Sequence, residues 1–507
     1  MSRRDFLLTI VSAVLLIFAF PCTDWWRLAW VGFVPLLFVI DGKKPSQAFG
    51  LAYLCGLIFF FGTLYWFWHV TLLGMILLVM YFAVYFGCFG ALAVRFGGRS
   101  ILSRIFILPI FWVSLELIRS RLFTGFDWVS LGHSQYKIFY LIQIADLTGV
   151  FGISFLVMMG NVLVKEIISG GIHKNTRGLG WPVVIFAGIF MAVFFYGRPH
   201  SVMTRLSSSV IVSVVQPQIK QTLKWVEATW PDILRELKLL TLKAAADRPG
   251  LIVWPETAFP GILEKSAAGD FRDPGQWIDE VRAIARAVHV PLLFGAVIEE
   301  DGRYFNAALL MDEQGNIKEV YRKRHLVAFG EYVPLRRFWP ALAKFVPIED
   351  FTSGKNWTVF SLGDPQYPRL RFSSLICFED TVARVTRQFV LSDADVLINM
   401  TNDAWFGRSK AMFLHLQSAV FRAVENRKPL IRAANTGVSA FIADDGSIEE
   451  TLPDFASLRN DHPGVMTRIV SYQRGKPTLY SRWGDWFAWA GFLFSLAIIG
   501  FGLKFKK

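Results

Sequence analysis

The uneven distribution of apolar residues constrains this chain more than any single motif. Residues 1–200 and 485–504 hold long apolar runs, whereas residues 205–480 have the composition of an aqueous domain. With 507 residues and 53% hydrophobic content, that unevenness argues for a membrane-embedded chain with one large aqueous insert, not about three soluble domains. A helix needs about 20 mainly apolar residues to cross a bilayer. Eight segments are candidates: 6–20, 25–40, 50–70, 72–96, 101–118, 150–168, 181–197 and 485–504, the first two short and divided at Pro21.

Counting short-loop lysines and arginines tests that number. With a cytoplasmic N-terminus, the inside segments hold Arg3, Arg4, Lys43, Lys44, Arg95, Arg99, Arg104, Lys165, Lys174, Arg177, Lys504, Lys506 and Lys507. The outside segments hold only Arg27, Arg119, Arg121, Lys137 and Arg198, which agrees with the positive-inside rule. Seven spans over 1–200 then place residues 205–480 outside, and 485–507, a last span with a cytoplasmic tail, returns the chain to the cytoplasm. Arg3 and Arg4 precede an apolar core as in a signal peptide. The residues around Ala19, Phe20 and Pro21 offer no small-x-small cleavage site, and Cys22 follows no lipidation box, so a retained anchor is expected.

The net charge of +13 owes much to that inside bias, and no basic stripe with interleaved aromatics accompanies it. Nucleic acid is therefore disfavoured, and anionic lipid headgroups are the expected counterpart. Of four cysteines, Cys55 and Cys88 lie in expected spans and Cys22 near a span end, which leaves Cys377 with no disulfide partner in its own domain. A buried small hydrophobe is the bland reading of Cys377. Its neighbours argue otherwise.

Three stretches of the aqueous segment share one pattern, an apolar strand that runs into an ionisable residue. Ser373–Cys377 ends in a thiol followed by Glu379 and Asp380, Leu251–Glu256 ends in a carboxylate, and Glu319–Lys323 ends in an ammonium. A carboxylate can take a thiol proton, and a lysine can stabilise both a thiolate and the oxyanion formed by its attack. Further strands are expected at 210–216, 292–297, 307–311, 396–400, 430–433 and 439–443, with helices at 223–247, 276–289, 381–391 and 410–427. This alternation favours a layered α/β sandwich.

Other features are less specific. The aromatic stretches around Tyr65-Trp66 and Phe126-Asp127-Trp128 read as an interfacial belt, and the long apolar loop 119–149 could shape a lipid site. Phe259–Leu263 and Phe338–Val346 are proline-broken apolar runs beside the presumed site; core packing is the default, and a lid dipping into lipid is expected for the second. The eight histidines and the cysteines show no metal-ligand spacing, so no metal is expected. No glycine-rich phosphate loop opens a helix, so no cofactor is expected either. His325, two residues from Lys323, either acts as a second base or packs locally.

The motifs Trp254-Pro255-Glu256-Thr257-Ala258-Phe259-Pro260, Tyr321-Arg322-Lys323 with Leu326–Pro334, and Ile376-Cys377-Phe378-Glu379 resemble those of the nitrilase superfamily. The eight-span frame narrows the resemblance to the apolipoprotein N-acyltransferase family. Asn402–Gly407, Arg432–Gly437, Phe20-Pro21, Gly62 with Tyr65-Trp66, Gly125-Phe126 with Trp128, and Gly149 with Gly152–Leu156 are also similar to that family. The resemblance implies a four-layer αββα sandwich for residues 205–480. It makes Glu256 the general base, Lys323 the oxyanion stabiliser and Cys377 the nucleophile. Glu331 and Glu379 become supporting acids, and Trp225, Phe338, Trp339, Asn402 and Trp405 become substrate-binding residues.

The implied reaction moves an acyl chain from the sn-1 ester of a phospholipid, with phosphatidylethanolamine the expected donor, through a cysteine thioester to a diacylated apolipoprotein. The implied setting is the bacterial inner membrane, with a periplasmic catalytic domain and a monomeric enzyme. A membrane-tethered amidase acting on a small soluble amide is the alternative. Phe378 departs from the family's common tyrosine, Asp127 and His133 from a proline and a tyrosine, and Gln218 from asparagine.

Overall fold

The computed structural model describes residues 2–504 apart from 22, 99, 124, 175, 199–207, 267–268, 334–349, 364–369, 408 and 453–461. The chain divides into two compact units, one of Met1–Met203, Ser409–Glu425 and Thr478–Lys507, the other of Thr204–Arg408 and Asn426–Pro477.

The first unit is helical. Among the described residues four helices are long and apolar enough to cross a membrane: Pro45–His69, Leu72–Phe96, Ile101–Arg119 and Val150–Ile172. Shorter apolar helices cover Trp26–Ile40, Phe139–Thr148, Gly180–Tyr196 and Trp486–Gly502. Small residues let the first two long helices approach closely, since a Cβ on Gly90 would fall 2.6 Å from the Ala48 carbonyl oxygen. Phe33, Phe86, Phe89 and Trp112 interlock beside them, with ring centroids 4.6–6.0 Å apart.

The expected 25–40 span is broken into a 3₁₀ turn, Trp26–Trp30, and a short α-helix, Val34–Ile40, with proline in its first turn. A break inside an apolar bundle frees backbone groups that lipid cannot satisfy. Asn161 satisfies them: its Oδ1 accepts from Phe33 N at 2.8 Å and its Nδ2 donates to Ala29 O at 2.7 Å.

Helix Ala411–Asn426, expected from sequence within the aqueous segment, lies almost wholly in this helical unit. His415 packs on Trp128 and His133 meets Phe421 edge-on, while Glu425 Oε1 accepts from Val150 N at 3.3 Å and Lys410 Nζ donates to the Gly62 carbonyl.

The second unit is α/β. Its chain first lays down β1 (Ser208–Gln216), β2 (Leu251–Val253), β3 (Ile262–Lys265), β4 (Phe271–Arg272), β5 (Leu292–Glu300), β6 (Arg303–Met311) and β7 (Ile317–Arg322). A second series follows: β8 (Val359–Leu362), β9 (Leu370–Ile376), β10 (Val396–Thr401), β11 (Leu430–Ala434), β12 (Ser439–Ile442) and β13 (Ile448–Leu452). The last strand, β14 (Gly464–Tyr472), returns to pair antiparallel with β1, so the first sheet has eight described strands and the second six.

The parallel strands β1, β2 and β5 form the middle of the first sheet, and β9, β10 and β11 that of the second. One apolar core lies between the sheets, with Val214, Val253, Phe372, Leu375 and Ile398 all buried. Another lies between the first sheet and helices Trp230–Ala245 and Trp277–Val288.

Several elements differ from expectation. The helix expected from 223 begins at Trp230, because proline in its first turn sets the start where its missing N–H costs nothing. Strands β3, β4, β8, β13 and β14 escape a reading by hydrophobic runs, since none of them presents a continuous buried run. Phe259 and Leu263 are core residues on and before β3. The expected lid, Phe338–Val346, lies outside the described residues.

Candidate active site

Each site group sits just past a strand. Glu256 follows β2 on a tight turn against β5, where a Cβ on Gly295 would fall 2.5 Å from Thr257 N, so only glycine admits the approach. Lys323 follows β7. Cys377 follows β9 with φ of 53°, a left-handed conformation that costs a non-glycine residue about 1 kcal/mol or more. Asn399 Nδ2 holds the Cys377 carbonyl at 3.0 Å, and Thr401 hydrogen-bonds the thiol.

The carboxylates and lysine form one buried cluster. Lys323 Nζ donates to Glu331 Oε1 at 2.9 Å and lies 3.8 Å from Glu256 Oε1. Asn306 Nδ2 bridges the two acids, at 2.8 Å from Glu256 Oε1 and 3.0 Å from Glu331 Oε1, and Val327 N ties down Glu331 Oε2 at 2.8 Å. Glu256 Oε2 is buried with no hydrogen-bond partner among the described residues.

Burial raises the Glu256 carboxyl above its ordinary range although Lys323 opposes it. Burial, then the Glu256 charge, push the Cys377 thiol well up, against the pull of Lys323. Burial acts to lower Lys323, but Glu331 and Glu256 together hold it above its ordinary value. Burial thus favours the protonated thiol of Cys377, while the two acids hold Lys323 as a fixed ammonium beside it.

Two buried polar networks hold these turns. Glu379 Oε1 accepts from Tyr321 Oη at 2.8 Å, Arg324 N at 2.9 Å and His325 N at 3.0 Å, while Oε2 accepts from Ile376 N at 2.8 Å. That one carboxylate clamps the Lys323 turn to the Cys377 turn. Arg432 Nη1 donates to Asp380 at 2.9 Å and Asn399 Oδ1 at 3.0 Å, and Nη2 to Asp403 at 2.9 Å, so from within β11 it joins β10 to the turns that follow β9 and β10.

Comparisons with known proteins cover nearly the whole length. Residues 12–163 match the apolipoprotein N-acyltransferase N-terminal domain and residues 211–458 match carbon-nitrogen hydrolase. The apolipoprotein N-acyltransferase of Geobacter metallireducens is 35% identical, covering 96% of this chain and 93% of the relative. That of Haemophilus influenzae is 30% identical, covering 95% and 91%. The chain belongs to the apolipoprotein N-acyltransferase family.

Against that family's pattern, the departures acquire physical settings. Phe378, without the usual hydroxyl, stacks on His325 at 5.9 Å. Arg384 Nη2 lies 3.3 Å from His325 Nδ1, and burial lowers the imidazole pKa to about 4, with Arg384 and Lys323 adding to the effect. Gln218 has φ of 57°, a region asparagine enters more readily. Asp127 accepts from Ser130 Oγ at 2.7 Å.

Of the expected substrate-binding residues, Trp225 and Trp405 are half exposed, at 49% and 48%. Asn402 is buried and its amide is engaged, donating to Gln221 Oε1 at 2.7 Å and accepting from Asn435 Nδ2 at 2.9 Å, so it braces the turn that carries Trp405. Phe338 and Trp339 lie outside the described residues.

Sequence reasoning passed over Lys224 and Asn306. Lys224 Nζ donates to Glu256 O at 3.0 Å and Thr257 Oγ1 at 2.9 Å, and burial lowers its pKa to about 8 against the pull of Glu256 and Cys377. Asn306 had one available signal, a lone amide interrupting an apolar strand.

Proposed function

We propose that this chain transfers the sn-1 acyl chain of a phospholipid, phosphatidylethanolamine being the expected donor, to the α-amino group of a diacylglyceryl-cysteine on an apolipoprotein. The observation that carries the reading is the Glu256–Lys323–Glu331 cluster beside a cysteine held in a left-handed turn. Family membership supplies the reaction class.

Cys377 Sγ attacks the ester carbonyl while Glu256 Oε2, the oxygen with no hydrogen-bond partner among the described residues, takes the thiol proton. Lys323 meets the oxyanion from a position that Glu331 fixes. Collapse breaks the C–O bond, the proton passes from Glu256 to the leaving alkoxide, and lysophospholipid departs from an acyl thioester. The acceptor amine then adds to the thioester and Glu256 takes its proton. Thiolate leaves, is reprotonated, and an amide remains. Two bulky amphiphiles thus use one site in turn.

In this reading eight spans hold the protein in the bacterial inner membrane as a monomer. Residues 1–200 carry seven spans, 205–480 form a periplasmic αββα catalytic domain, and 485–507 form the last span and a cytoplasmic tail. Glu379 supports the nucleophile turn, and Trp225, Phe338, Trp339, Asn402 and Trp405 serve the substrates.

The test is intact mass of wild type and Cys377→Ser incubated with phosphatidylethanolamine, then with a diacylated lipopeptide. The expected result is an acyl-sized gain on wild type alone, discharged to the lipopeptide as an amide. Turnover of simple amides with no adduct and no lipopeptide product, from folded protein, would favour a tethered amidase instead.

A further inference from the structure

The outer face of the first sheet carries a polar cavity apart from the cysteine site. Successive residues of a strand point to opposite faces. Tyr321 enters the core between the sheets, whereas Arg322 lies over the Phe305 ring, 5.8 Å from its centroid, on the face that the helices cover. There a cavity of about 330 Å³ is lined by Glu300, Arg303, Arg322, Lys355, Asn356 and Thr358, among others.

Three basic residues, Arg303, Arg322 and Lys355, line it with one acidic residue, Glu300. Glu300 is already engaged: Arg322 Nε donates to its Oε2 at 2.8 Å and Lys265 Nζ lies 3.3 Å from its Oε1. Among the described residues, Arg303 and the Lys355 ammonium have no ion-pair partner. The wall that presents Lys355 and Asn356 is firmly tied. Thr352 N donates to Tyr304 O at 2.7 Å, Gly354 N to Lys323 O at 2.8 Å, and Arg324 Nη1 to Lys355 O at 2.6 Å.

A concave site with surplus positive charge attracts an anion, and the geometry selects among anions. The cations approach from β6, β7 and the 352–358 loop, so the favoured ligand offers oxygens in several directions. A tetrahedral phosphoryl group does so, and a planar carboxylate offers two oxygens in one plane. The volume also exceeds what a lone carboxylate fills. We propose that this cavity binds a phosphoryl anion, carried by a glycerophospholipid headgroup or a free phosphate ester, with Arg303 and Lys355 as its main contacts. Arg322, held by Glu300, contributes from the floor.

The test is calorimetric binding of glycerophosphoglycerol to the full chain in uncharged detergent. This probe has a headgroup phosphate and no acyl ester to react. One-site binding that weakens with salt is expected, reduced roughly tenfold or more in R303Q/K355Q and largely retained in R303K/K355R. Inorganic phosphate competing equally well would assign the site to free phosphate; failure to compete would assign it to headgroups. Unchanged affinity in R303Q/K355Q, no saturable binding, or tighter capture of an acidic peptide without phosphate would overturn the proposal. Should the double variant fail to fold, K355Q at its exposed position carries the same comparison.

Discussion

The ionised form of Glu256 is favoured by a small set of contacts, and each can be removed separately. Asn306 donates to its Oε1 and the Lys224 charge lies close by; both favour the ionised form. Removing either favours the protonated acid, so the pH below which the base is lost moves up. Asn306→Ala and Lys224→Met are each expected to shift the acid limb of the acyl-transfer profile to higher pH. An unmoved limb with reduced rate would make Asn306 and Lys224 merely structural. Lys323→Ala is expected to lose about 10²- to 10³-fold in rate, by analogy with a single oxyanion donor. Near-wild-type thioester formation by folded Lys323→Ala would remove it from that role. Glu256, Lys323 and Cys377 were legible because each ends an apolar strand with an ionisable group. Lys224 was not, because a lysine near a helix start reads as solvent-exposed until tertiary contacts bury it.

At the scale of elements, the site depends on strands whose ends are cross-tied by buried charge. Arg432 and Glu379 serve strands that are distant in sequence, and neither role has a local periodicity to betray it. Taking Arg432 away leaves Asp380 and Asp403 buried without their partner cation, a loss of roughly 3–5 kcal/mol. Arg432→Met is therefore expected to lower the unfolding midpoint in detergent by several degrees; an unchanged midpoint would refute the brace. Glu379→Gln keeps the shape but turns one acceptor oxygen into a donor facing backbone N–H groups. Thioester formation should fall more than the midpoint does, because the clamp sets the spacing of Lys323 and Cys377. Equal effects on both would point to stability alone.

For the whole molecule, residues 205–480 look separable in sequence, and helix Ala411–Asn426 shows that they are not. Its Leu414, Leu416, Val420, Phe421 and Val424 are buried, and His415, Phe421 and Glu425 contact residues of the first 200. Expressed alone, 205–480 is expected to aggregate or run as a high-mass species in gel filtration without detergent. A soluble monomer with cooperative unfolding would contradict this. The sequence by itself determined that the chain has a membrane part and an aqueous α/β part, and which residues end the site strands, because burial period and composition are local properties. Only the tertiary structure decided which unit helix Ala411–Asn426 joins, how Asn161 repairs a broken span, that Asn306 bridges Glu256 and Glu331, and that Lys224 is buried against the Glu256 turn. Those outcomes depend on buried hydrogen bonds between residues far apart in the chain, which no local pattern encodes.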